Sequence, residues 1–247
     1  MKVLYVNPVG TGTLDAWFEE QLAGCAGPDV AIETCHLDLE GNAKSPFLPQ
    51  QPFFHGVLHE RLQRAQDDGY DAAVIGCSGD PGLIDAKRFL QMPVTAPLQA
   101  ALHLGAVLHQ RTAILVADGF EAHVLYQDLA RYYGLEHVIS EILTVPMTYP
   151  DPALLERLMQ EDPDAACHMV LARHLAVLAE EALDLARGAV ERGAGAVYAG
   201  CTFWTGPQLQ AFREAVAVPV IDPGQSAVLL AVAAARARQG APQPVAG

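Results

Sequence analysis

The chain carries the same segment twice. Residues 69–97 run GYDAAVIGCSGDPGLIDAKRFLQMPVTAP, and residues 193–223 run GAGAVYAGCTFWTGPQLQAFREAVAVPVIDP. Gly69, Gly76 and Cys77 recur as Gly193, Gly200 and Cys201, each 124 positions further on, while Pro93 and Pro97 recur as Pro219 and Pro223, 126 further on. Each copy passes from an apolar strand into Gly-Cys, then into an amphipathic helix, then into a second short strand. Such a repeat restricts the chain to two similar half-domains, each presenting a thiol at a strand exit.

The rest of the sequence alternates in the same way. Short β-branched runs bounded by turn residues predict strands over 3–6, 30–37 and 72–76. Helices are expected over 15–23, 54–67 and 81–90, with Asp15 as an N-cap and Pro81 in a first turn. In the second half, strands are expected over 113–117, 137–145, 197–199 and 218–221. Helices are expected there over 122–133, 165–192, 206–214 and 225–238. Alternating βα units favour parallel sheets covered on both faces. The expected fold is therefore α/β: two pseudo-symmetric lobes, each a mainly parallel sheet flanked by helices, with the active site in the cleft between them. Ligands in open α/β sheets bind at the carboxyl edges of the strands, and both Gly-Cys turns fall there. Residues 1–98 with 222–240 are assigned to the first lobe and 99–221 to the second, leaving 241–247 as a flexible tail.

Composition closes off several functions. With 51 % hydrophobic and 18 % charged residues the chain can bury a sizeable core. A formal net charge of −14 repels phosphate backbones, and no Lys/Arg cluster offsets it, so nucleic acid is not an expected partner. No run approaches the ~18 apolar residues of a membrane span. The first residues lack the charged leader and apolar run of a secretory signal. The five cysteines are odd in number, unpaired in spacing and without a CxxC, which suits a reducing cytoplasm and no zinc site.

Cys77 and Cys201 stand apart from Cys25, Cys35 and Cys167, which suit inert core positions. Each follows a glycine that permits close backbone approach, and each precedes a hydroxyl residue, Ser78 or Thr202. Backbone N–H groups past such a turn bind anions and favour a thiolate. Gly10-Thr11-Gly12-Thr13 lacks the third glycine of a dinucleotide fingerprint, since Asp15 takes that place.

In four motifs the chain resembles the aspartate/glutamate/hydantoin racemase superfamily over nearly its whole length. These are Val6-Asn7-Pro8, Gly76-Cys77-Ser78-Gly79-Asp80-Pro81-Gly82-Leu83, Gly200-Cys201-Thr202 and Pro219-Val220-Ile221-Asp222, the second being similar to the first cysteine motif of hydantoin racemases. The resemblance implies stereoinversion without a cofactor or metal. Cys77 and Cys201 are then the acid/base pair at a carbon beside a carboxyl or carbonyl group of a small carboxylate or hydantoin. It further implies that Ser78, Gly79 and Thr202 form an oxyanion shell and that Asn7 contacts substrate or orients Cys77. A homo-oligomer is expected by the same analogy. Asp118 is the counterpart of Asn7 in the second half and suits either a cleft position or a helix N-cap. Phe203 and Trp204 suit an apolar pocket wall, favouring a less charged substrate than aspartate, and suit core packing equally. His168 is a candidate to tune Cys201, a surface role being the alternative. The alternatives to a racemase or epimerase are a maleate-type cis–trans isomerase, a related lyase, or a binding protein that keeps the cleft without turnover.

Overall fold

The structure is a computed structural model and describes residues 1–8, 10–37, 39, 51–117 and 120–239. Strands β1 (Lys2–Asn7), β2 (Ala31–His36), β3 (Ala72–Ile75) and β4 (Val94–Thr95) form a parallel sheet in the order β2-β1-β3-β4. Strands β5 (Thr112–Ala117), β6 (Ile139–Val145), β7 (Ala196–Gly200) and β8 (Val220–Ile221) form a second, in the order β6-β5-β7-β8. The two orders superpose strand for strand, so the repeat in the sequence is a repeat in topology. The middle strands are apolar along their length because helices cover both faces of a parallel sheet; Val3, Tyr5, Val6 and all of β3 are fully buried.

The helices are α1 (Asp15–Leu22), α2 (Gln51–Asp67), α3 (Leu83–Phe89), α4 (Pro97–Val107) and α5 (Phe120–Tyr132), then α6 (Pro152–Glu161), α7 (Pro163–Ala179), α8 (Glu181–Glu191), α9 (Gln210–Ala215) and α10 (Pro223–Gln239). Pro97 and Pro223 open α4 and α10 directly after the short edge strands β4 and β8. Proline suits that first position, where its fixed φ is already helical and no N–H is needed. Both helices then cross to the other lobe. Leu98, Ala101 and Leu102 of α4 pack with Ile114, Ala196 and Tyr198 of the second sheet. Ala227, Val228, Ala231 and Val232 of α10 pack with Val3, Tyr5, Ala72 and Val74 of the first.

Five elements differ from the sequence reading. The helix expected over 165–192 is two helices, α7 and α8, broken at Glu180 with φ −119° and ψ −92°. A straight helix of that length would run for about 40 Å at 1.5 Å per residue, far beyond a sheet of such short strands. The break lets α8 lay Ala182, Ala186 and Ala189 on the sheet while α7 covers the space between the lobes. Helix α3 starts at Leu83 rather than Pro81, because Asp80 (φ 44°) and Gly82 (φ 65°) are left-handed and hold the chain in a turn. The helix expected over 206–214 begins as a 3₁₀ turn, Gly206–Leu209. Helices α4 and α6 were not anticipated. Among the described residues no helix is long and apolar enough to cross a membrane.

Candidate active site

The two cysteines sit in the same local turn. Cys77 N–H donates to the Ile75 carbonyl (2.9 Å), and the Cys77 carbonyl accepts from Asp80 N–H (3.0 Å). Cys201 N–H donates to Ala199 (2.8 Å), and its carbonyl accepts from Trp204 N–H (2.8 Å). Two residues beyond each cysteine, the Gly79 and Phe203 N–H groups donate to the respective sulfurs. The preceding glycines are required by space. A Cβ on Gly76 would lie 2.4 Å from the Tyr5 ring, and one on Gly200 2.2 Å from the Leu115 carbonyl oxygen.

The turns face a common cavity of about 350 Å³ between the sheets. Asn7, Cys77, Ser78 and Gly79 line it from the first sheet, and Cys201, Thr202 and Phe203 from the second. Tyr149, Leu155 and Met159 of α6 and the segment before it, with Val170 and His174 of α7, form the outer wall. Neither lysine nor arginine is among the described lining residues. Both cysteines keep partial access to the cavity, yet the surrounding protein desolvates their sulfurs. Burial pushes the Cys77 thiol up to about 11; Asp80 adds to the rise and the Gly79 N–H opposes it. Burial pushes Cys201 up to about 12, with the Phe203 N–H opposing and the charge of Cys77 adding. The last effect means that the two sulfurs sense one another across the cavity, so one thiolate disfavours the second.

A family model described as Asp/Glu/Hydantoin racemase matches residues 4–231. The chain belongs to this family. It is 25 % identical over 222 residues to a hydantoin racemase of Pseudomonas sp. (strain NS671), covering 90 % of this chain and 81 % of that one. It is 28 % identical over 239 residues to a hydantoin racemase of Paenarthrobacter aurescens, covering 94 % and 89 %. Among solved structures, allantoin racemase from Klebsiella pneumoniae superposes with a TM-score of 0.69 at 20 % identity over 96 % of this chain and 89 % of that one. The two-sheet α/β architecture is thus that of the racemase fold.

In this member of the family each cysteine turn is tied to a helix N-terminus by a buried aspartate, from opposite ends in the two lobes. In the first lobe Asp80, on the turn, accepts from the N–H groups of Leu98 (2.9 Å) and Gln99 (2.8 Å) at the start of α4, and from the Tyr133 hydroxyl (2.9 Å). In the second, Asp222 at the start of α10 accepts from Gly206 N–H (2.7 Å), Gln225 N–H (2.9 Å), the Thr205 hydroxyl and Arg213 (3.0 Å). A carboxylate at a helix N-terminus satisfies free N–H groups and complements the dipole. Burial nevertheless raises both carboxyls, Asp80 to about 7. Asp80 accepts these bonds from a left-handed backbone, a conformation Asp adopts more readily than most residues. A further bond crosses the lobes: the Tyr198 hydroxyl donates to Ser78 Oγ at 3.0 Å, buried.

Of the residues singled out in the sequence, Asn7, Cys77, Ser78, Gly79, Cys201, Thr202 and Phe203 all line the cavity. Asp118 lies outside the described residues. His168 is exposed and donates to the Asp164 carbonyl (2.9 Å), whereas His174, about one and two-thirds turns on, reaches the cavity. Phe203 and Trp204 divide the two roles offered to them. Phe203 walls the cavity and stacks on Phe18 of the first lobe (6.0 Å), while Trp204 is fully buried and donates its indole N–H to the His174 carbonyl (2.8 Å). The wall residues Tyr126, Tyr149, Leu155, Met159, Val170 and His174 were not identified beforehand. A histidine on the apolar face of Val170, Leu171, Val177 and Leu178 was the one visible cue among them.

Proposed function

We propose that the protein is a cofactor-independent, cytoplasmic racemase of a 5-substituted hydantoin or similar cyclic carbon acid, using Cys77 and Cys201 as a two-base pair. The observation that carries this is the matched pair of cysteine turns on opposite walls of one cavity. Names of the relatives point to the same chemistry, and the five unpaired cysteines suit a reducing compartment. Among the described residues the cavity wall is mostly apolar and holds no cation, which favours a neutral ring over an amino-acid carboxylate.

One sulfur acts as thiolate and removes the proton from the stereogenic carbon. The C–H electron pair moves into the adjacent carbonyl, giving an enolate. The opposite cysteine, as thiol, delivers its proton to the other face, and the electrons return to carbon. The enzyme is left with the protonation of the two sulfurs exchanged, ready for the opposite enantiomer. Desolvation makes each thiolate scarce but strongly basic, which suits abstraction from a weak carbon acid. The backbone N–H groups of Ser78 and Thr202, with the Asn7 side chain, supply donors for the enolate oxygen.

The test is proton NMR in D₂O with pure enantiomers of 5-substituted hydantoins, aspartate and glutamate. Wild type should exchange the α-proton of the hydantoins and leave the amino acids untouched. Cys77→Ala and Cys201→Ala should each abolish inversion. Full activity in either variant would sink the two-base assignment, and exchange of glutamate alone would sink the substrate class.

A further inference from the structure

Two polar groups on the cavity wall lack a protein partner among the described residues. Asn7 is buried on the first sheet, and its Nδ2 makes no hydrogen bond. His174 stands on α7, with Nδ1 2.8 Å from the Val170 carbonyl oxygen. A carbonyl only accepts, so Nδ1 carries the ring proton and Nε2 presents a lone pair. Nε2 makes no hydrogen bond to another of the described residues, and His174 borders the cavity.

The imidazole is held in that pose from several sides. Its ring meets Phe203 edge-on at 4.8 Å and 77°. The His174 carbonyl takes the Trp204 indole N–H, which joins α7 to the turn that carries Cys201. Burial lowers the imidazole to about 4, so it is neutral at physiological pH and Nε2 remains an acceptor. The wall therefore holds an unpartnered donor, Asn7, and an acceptor fixed in its pose, His174, on elements of opposite lobes. A carboxylate needs donors or cations and would face a lone pair; a ring holding both C=O and N–H satisfies the two groups together.

We propose that His174 is the specificity-determining residue of this site, its Nε2 accepting a ring N–H of the substrate while Asn7 donates to a ring carbonyl, so that the cavity selects cyclic ureides. This deepens the hydantoin-type reading above and rests on it.

The experiment compares kcat/KM for a 5-substituted hydantoin with its 1-methyl and 3-methyl derivatives, in wild type, His174→Phe and His174→Gln. In wild type, blocking the N–H that meets Nε2 should lower kcat/KM by about tenfold or more. In His174→Phe, which keeps an aromatic ring without an acceptor, the parent should fall to the level of its methylated derivative, bringing the ratio close to one. In His174→Gln the carboxamide oxygen can accept in place of Nε2, and the preference for the N–H ring should return. General damage to the fold would lower all three substrates together and leave the ratio unchanged. The proposal is overturned if neither methylated ring is disfavoured by wild type, if the ratio survives in the Phe variant, or if the Gln variant loses it. If wild type fails to exchange the α-proton of any hydantoin, the underlying reading fails instead.

Discussion

Raising the pH should activate the two thiols far later than an ordinary cysteine. With Cys77 near about 11 and Cys201 near about 12, roughly one in 10³ and one in 10⁴ are thiolate at pH 8. At about 1.4 kcal/mol per pH unit, ionisation at pH 8 then costs about 4 and about 5.5 kcal/mol respectively. The Gly79 and Phe203 N–H groups have already lowered that cost, and substrate binding has to offset what remains. A cysteine of pKa ≈ 8.5 gains only about thirtyfold in thiolate between pH 7 and 10 and then levels off, whereas one near 11 gains nearly a thousandfold. The assay is alkylation by iodoacetamide, resolved site by site through peptide mass spectrometry, with circular dichroism confirming that the fold persists across the range. Labelling of both cysteines should climb about tenfold per pH unit throughout. A plateau below pH 9 at either site would show a thiolate already formed at neutrality, and would refute desolvation as the controlling effect.

Two further outcomes follow from the turns that hold these thiols. Gly200→Ala should cost about 3 kcal/mol or more, because the new methyl would meet a backbone carbonyl of β5 that cannot retreat without breaking the β5–β7 ladder; urea denaturation measures it, with Gly56→Ala as a control in open space, and an unchanged midpoint would refute it. Asp80 has a folded pKa near about 7 against ≈ 3.9 in an unfolded chain, so between those values the folded state holds a proton that the unfolded state has released. Its contribution to stability is therefore present below about pH 4 and is lost as pH rises through about 7, by up to about 4 kcal/mol. Thermal melts of wild type should fall more between pH 5 and 8 than those of Asp80→Asn; parallel slopes would mean that the three donors around Asp80 keep it ionised throughout.

What could be foreseen was whatever is written locally in the chain. The repeat marks the strand exits, and the residues beside each cysteine line the cavity because a tight turn gives them no other place to go. The missing parts depend on distant packing. Helix α4 buries Leu98, Ala101, Leu102 and Gly105 on one face but exposes Leu104 and Val107 on the other, so its apolar residues trace no clear stripe from which a period could be read. Helix α6 opens on Asp151-Pro152, an N-cap followed by proline that the sequence reading passed over, and its role as outer wall depends on where α7 lies. His168 and His174 share one helix and differ by six residues, about 240° around its axis, so sequence alone could not say which faced the cavity.

The crossing of α4 and α10 bears on how the two halves move. Each half lends its closing helix to its neighbour, as two hands interlock by exchanging a finger. Removing the second half would strip Val3, Tyr5, Ala72 and Val74 of the apolar cover that α10 gives them. Neither half is then a self-sufficient folding unit, for all their likeness. The same interlocking opposes a wide hinge motion, since parting the sheets would pull each helix off a core that belongs to the opposite side. The gap between the sulfurs is set by the architecture as a whole, and a substrate has to match that gap rather than draw it closed.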